Sequence, residues 1–304
     1  MEQLLDNNPK KMKGKTAVVA LLILSLLLIG VGSMVDVTNS IISMTNAKDF
    51  SVLAIAHSIR NPAFSMISII PIFLFIIYAL FCYRKPNATI LLPITFSAAC
   101  LGSLVYFLDH VIAFISVVHG IVKDLSKYSI DFLDVSLDTY SENIVLFVIN
   151  SLSYLSVAVC FIILTVAAFK GFKSRRLVGV FSGIGIAGQV LLGGFTAFSG
   201  IKYVVTTITG INELENSGYV LSLGSDKYIY MDGMLIHFDI YVKSLENQML
   251  NVSLSMVATL LTCLAVIAFL LAVLVFASKN EVPEIIESKK KANIDNIVIA
   301  TETK

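Results

Sequence analysis

The sequence predicts an all-α membrane protein with six transmembrane helices in three outward-opening hairpins. Helices extend beyond the bilayer, and the last outer loop carries a small β-hairpin or meander. Three observations carry this reading. Apolar residues make up 57% of the 304-residue chain and charged residues 14%, with mean hydropathy +0.86; soluble domains hold about a quarter charged residues. Six apolar runs lie near 16–35, 63–83, 89–110, 144–169, 177–200 and 252–278. About 20 apolar residues suffice to cross a hydrocarbon core of roughly 30 Å, and a chain in lipid must satisfy its backbone polar groups internally, as a helix does. The connections between the runs alternate in charge.

The alternation orients the chain. Lys10, Lys11, Lys13 and Lys15 precede the first run, Arg84 and Lys85 follow the second, and Lys170, Lys173, Arg175 and Arg176 follow the fourth. Lys279, Lys289, Lys290, Lys291 and Lys304 follow the sixth. Both termini are therefore expected in the cytoplasm, with the protein in the plasma membrane. Residues 1–15 and 279–304 are polar and lack an apolar period, which predicts disorder. The first run also has the form of a signal peptide, with Val31-Gly32-Ser33 as a cleavage site. Its apolar stretch is long for that, and an uncleaved anchor is the preferred reading. The turns Arg84–Ala88 and Lys170–Arg176 are short, so successive spans are antiparallel neighbours. Hairpin stacking alone accounts for the threefold pattern without a true repeat.

Between the third and fourth spans the apolar spacing runs on through Val111, Ile112, Ile115, Val118, Ile121 and Val122. That predicts helices projecting past the bilayer and packing on each other. Pro71 and Pro93 should bend spans two and three. The outer loop 206–250 is different. Tyr219–Leu223, Lys227–Met231 and Met234–Phe238 are strand-like runs rich in Tyr, Val, Ile and Phe. Asp232-Gly233 between the last two is a hairpin signal, since a type I′ turn needs positive φ at both central residues. A helix should follow from about Asp239. Acidic residues outnumber basic ones in both outer loops, so the outer face is acidic.

Candidate chemistry is sparse. Asp109-His110 is the adjacent ionisable pair beside a span, and intramembrane ionisable groups often serve function. Asn150 and Gln189 are the deepest amides, and Lys202 is a salt-bridge candidate for Asp109. Together Asp109, His110, Asn150, Gln189 and Lys202 outline a candidate polar path. Interhelical hydrogen bonding is the more ordinary use of such amides. In the glycine-rich fifth span, Gly179-x-x-x-Gly183 followed by Ala187 offers a small-residue face for close helix packing. No metal site is expected: His110 and His119, nine apart, fall on opposite faces of a helix, and neither His-x-x-x-His nor Cys-x-x-Cys occurs. Cys82, Cys100, Cys160 and Cys263 lie in or beside spans, so no outer disulfide framework is expected. No phosphate-cradling loop or nucleophile elbow is present, so neither a cofactor nor a catalytic residue is assigned. The formal net charge of +1 gives no footing for nucleic acid.

The sequence therefore points to a non-enzymatic, multi-pass interaction or assembly component with an acidic outer face. Its expected partners are the lipid bilayer and a membrane or extracytoplasmic protein, or further copies of itself. The alternative is a transporter or channel subunit using the polar path.

Overall fold

The computed structural model describes residues 12–47, 67–83, 88–125, 130–216, 220–223, 226–231 and 234–280. Six helices are described: α1 (Lys15–Ala47), α2 (Ile67–Cys82), α3 (Leu91–Leu125), α4 (Ile130–Phe169), α5 (Arg175–Asn216) and α6 (Phe238–Lys279). Three short strands, β1 (Val220–Leu223), β2 (Asp226–Met231) and β3 (Met234–His237), lie between α5 and α6. Five of the described helices are long and apolar enough to cross a membrane. The second, α2, is shorter within the described residues, because the run expected from Ala63 begins at Ile67 there. The helices exceed the apolar runs that announced them: α1 continues to Ala47, α5 to Asn216, and α6 starts at Phe238. A helix ends where backbone hydrogen bonding ends, and hydropathy does not report that point.

The chain divides into two compact units. The first holds the described residues up to Ile29, those from Ile67 to Leu192 and those from Cys263 onward. Its core is aromatic. Phe75 is fully buried, with Phe96, Phe269 and Phe276 edge-on around it at centroid distances of 5.9, 6.0 and 5.5 Å. Edge-to-face contacts set the positive rim of one ring against the negative face of the next. At the end of α2, Tyr78–Cys82 forms a π turn in which Tyr83 N–H donates to Tyr78 O at 2.9 Å. The wider turn accompanies burial of both Tyr78 and Ala79. Pro71 lies within α2, whereas Pro93 is the third residue of α3. There a backbone N–H has no helical acceptor to lose, so no bend arises from the missing donor.

Helix α4 stops at a glycine cap. Gly171 has φ +62°, Gly171 N–H donates to Ala168 O, and Phe172 N–H donates to Ala167 O at 2.8 Å. These two bonds make a Schellman motif, for which a left-handed residue is required. Phe172, itself at φ 55°, buries its ring against Phe96 and Phe276. The turn is thus anchored in the core, and α5 returns beside α4. Across the chain, Asn280 Oδ1 accepts from Lys13 N–H at 2.8 Å, while Asn280 Nδ2 donates to Lys13 O and Phe276 O, each at 3.0 Å. Met12 is buried too. Order therefore begins ahead of α1; the rest of the two expected disordered segments lies outside the described residues.

The second unit comprises the described residues from Gly30 to Ala47 and from Gly193 to Thr262. Within it Gly32 of α1 meets α6, where a Cβ would stand 3.4 Å from Ala258 O and 3.6 Å from Thr262 Oγ1. Gly200 of α5 faces Met256 of α6. The strands form one antiparallel sheet in the order β1-β2-β3. Met231 pairs with Met234, leaving two residues for the connection. That spacing fits the hairpin expected there, while Asp232 and Gly233 lie outside the described residues.

Candidate functional site

The sheet is the least membrane-like part of the described chain, and its two faces differ. Side chains alternate along a strand. Ile229 of β2 is buried, and its cross-strand partners Val220 and Ile236 share its face. The opposite face carries Leu221 paired with Tyr228, and Tyr230 paired with Leu235. On it Tyr230 is 63% exposed and Leu221 and Leu235 are each 47% exposed. The ring of Tyr228 meets that of His237 at 5.2 Å, edge to face. Below the sheet, Lys227 Nζ donates to Glu215 Oε1 at 3.0 Å, tying β2 to the end of α5. Tyr203 Oη donates to Gln248 Oε1 at 3.1 Å between α5 and α6. An exposed Tyr/Leu face of this kind has the composition of a contact surface.

The residues of the expected polar path lie on three helices, α3, α4 and α5. Asp109 and His110 sit on α3, where His110 Nδ1 lies 2.9 Å from Tyr106 O and its ring rests on Tyr154 at 4.8 Å. Tyr106 and Tyr154 stack at 5.2 Å, and further out Phe114 meets Phe147 at 6.2 Å. Helices α3 and α4 thus pack on each other along the stretch beyond the expected span. His110 belongs to that packing. Asn150 is on α4 with its Oδ1 buried and without a hydrogen-bond partner in the described structure. Gln189 on α5 is 2% exposed. The Gly188–Ser156 contact sets the level of the two helices. Counting at 1.5 Å per residue, Asn150 and Gln189 lie about 7 Å apart along the axes, too far for a direct bond at one level. Lys202 is exposed and belongs to the second unit.

Among the described residues, the close helix approaches of α5 are made at other glycines than Gly179 and Gly183. Nothing stands within 4 Å of a Cβ built at Gly179 or Gly183, and Ala187 is exposed. The close approach is made by Gly185, against Cys160 and Leu270, and by Gly188, against Ser156. Two residues turn a helix by about 200°, so Gly183 and Gly185 occupy nearly opposite faces.

Sequence reading passed over a further polar group. On α1 the buried stripe Val18, Leu22, Ser25 and Ile29 continues, at helical spacing, to Ser33 and Asp36. Ser33 is 4% exposed with its Oγ unpartnered, and the Oδ1 atoms of Asn39 and Asn251 are likewise buried without partners. The signal was available in the 3–4 spacing, but the apolar run appeared to end at Val35, ahead of Asp36. Among the described residues, no group of three or more His, Cys, Asp and Glu side chains is arranged to hold a metal ion.

Long apolar helices joined to a small antiparallel sheet are compatible with a helical membrane protein. No known protein family, curated protein or solved structure matches it.

Proposed function

We propose that this protein is a non-enzymatic, multi-pass integral membrane component that presents the β1–β3 sheet to a protein partner on the outer side, with both termini in the cytoplasm. The exposed Leu221, Tyr230 and Leu235 face carries the reading, because an ordered aromatic and aliphatic surface makes contacts at low entropic cost. The helices that hold the sheet add support. α5 and α6 are 42 residues each, which at 1.5 Å per residue is about 63 Å, twice a hydrocarbon core of roughly 30 Å. Basic residues mark the opposite ends, Arg175 and Arg176 on α5 and Lys279 on α6. Six spans in three hairpins fit this arrangement. The acidic composition of the outer loops favours a partner with a basic or neutral contact surface.

Two measurements test it together. In a cysteine-free background, Tyr230→Cys should react with a membrane-impermeant maleimide in intact cells, and Lys173→Cys only after permeabilisation. A photo-crosslinking amino acid at Tyr230 or Leu235 should then yield one discrete adduct, absent when the same group replaces Ile184 of α5. Labelling of Lys173→Cys from outside, or equal adducts at Tyr230 and Ile184, would refute the proposal.

A further inference from the structure

Helix ends of the first unit meet on one face, and the charged residues described there are all positive. Asn280, the residue after α6, bonds the backbone of Lys13, and Lys15 Nζ donates to Leu80 O near the end of α2 at 3.5 Å. Beside them, a Cβ built at Gly14 would stand 3.0 Å from Lys279 Cδ. Asn280 Nδ2 also donates to Phe276 O, and the Phe276 ring meets that of Phe172 at 6.0 Å, in the turn between α4 and α5. That turn carries Lys170 and Lys173 and leads into Arg175 and Arg176. A continuous set of contacts thus brings Lys13, Lys15, Lys279 and the four cations of the turn to the same end of the unit. All of them are exposed.

Among the described residues no acid shares this face. No Asp or Glu occurs in residues 12–22, 75–95, 160–182 or 268–280, and the acids of segments 1–11 and 281–304 are nearly matched by lysines of the same segments. The helices add to the positive charge. α1 and α5 both open here without an acidic residue in the first turn. A helix N-terminus carries the equivalent of roughly half a positive charge, with N–H groups that have no helical acceptor. Arg175 and Arg176 stand at such an end, where the dipole favours a carboxylate and disfavours a cation. Cations held against a helix dipole suit an anion supplied from outside the chain. The face lies at the ends of helices long and apolar enough to cross a membrane, which is the level of lipid headgroups. We propose that it binds the phosphate groups of anionic phospholipids in the adjoining leaflet, in preference to zwitterionic headgroups. The proposal rests on the reading of the long helices as spans; it does not depend on what the sheet contacts.

The test uses the full chain reconstituted in phosphatidylcholine vesicles. Resistance to carbonate extraction first checks the spans, so a failure of that reading is distinct from a failure of lipid selection. Spin-labelled phosphatidylglycerol and spin-labelled phosphatidylcholine with the same acyl chains are then compared for association with the protein. Phosphatidylglycerol should be preferred on the order of threefold, averaged over the whole lipid boundary, at about 0.1 M salt. The preference should fade at roughly 1 M salt, where the Debye length falls from about 10 Å to about 3 Å. Arg175→Gln/Arg176→Gln should roughly halve the preference, and Lys170→Gln/Lys173→Gln should act in the same direction. Lys202→Gln/Lys243→Gln, an equal change of charge in the second unit, should leave it unchanged. Equal association of the two lipids with the wild-type chain, or equal losses in the turn variants and the Lys202→Gln/Lys243→Gln control, would overturn the proposal. Displacement of labelled phosphatidylglycerol by free glycerol phosphate would overturn it too, since the face would then be a site for soluble anions.

Discussion

Alanine at Gly188 and alanine at Gly183 make an internally controlled pair. Both substitutions add one methyl to α5, and both bring the same intrinsic helix gain of about 1 kcal/mol. That common part cancels in their difference. At Gly188 the new Cβ would overlap Ser156 Oγ and stand 3.3 Å from Ser156 Cβ and 3.4 Å from Ser153 O. The Ser156 hydroxyl would have to rotate away, giving up its 2.7 Å bond to Ser153 O. Loss of such a bond costs about 1 kcal/mol, and overpacking a close interface costs about 1–3 kcal/mol. At Gly183 the methyl enters open space. Gly188→Ala should therefore be less stable than Gly183→Ala by about 2–4 kcal/mol, or on the order of 5–10 °C in unfolding midpoint. Thermal unfolding of the full chain in one detergent measures it. Adding Ser156→Ala should return most of the loss, because it removes the atom in conflict. Equal stability of the two glycine variants, or no recovery in the Gly188→Ala/Ser156→Ala double variant, would refute the assignment of the α4–α5 contact.

Three further outcomes follow from the first unit. Phe75→Ala leaves a void among four rings and should cost about 3–5 kcal/mol, seen as the largest midpoint loss in an alanine series through the core. Asn280→Leu keeps the volume but leaves Lys13 N–H and Lys13 O unanswered; a loss of about 1–3 kcal/mol is expected, with faster proteolysis at the N-terminal segment. Ser25→Ala removes the 2.7 Å bond from Ser25 Oγ to Ala265 O across α1 and α6. Interhelical bonds in membranes average about 0.6 kcal/mol, so its midpoint should fall by no more than a few degrees.

Legibility in the sequence followed the range of the forces involved. The strand runs around Tyr228 and Leu235 and the return at Met231–Met234 depend on alternation and turn chemistry over a few residues, and they were readable. α3 does pack on α4 past the expected span, but Ile112 and Ile115 of the apolar stripe are exposed and Phe114 makes the contact with Phe147. His110, in contrast, looked chemically prominent and proves to be seated against Tyr106 and Tyr154. Asn280 drew no attention, yet it closes the α6 end onto Lys13. A single amide far along the chain has no local pattern that announces its partner.

Composition and run length alone establish that this chain is built of apolar helices, because lipid admits few backbone arrangements and about 20 residues are needed to cross it. Which face of each helix meets a neighbour is a different matter. Gly179-x-x-x-Gly183 and Gly185 with Gly188 are equally good small-residue faces by spacing, and packing against Ser156 and Cys160 selected the second. Asp36 reads as the polar end of a span until α1 is seen to carry it in line with the buried Val18, Leu22 and Ile29. Tertiary structure decides such cases, since burial and pairing depend on which surface stands opposite, and nothing in the local sequence names that surface.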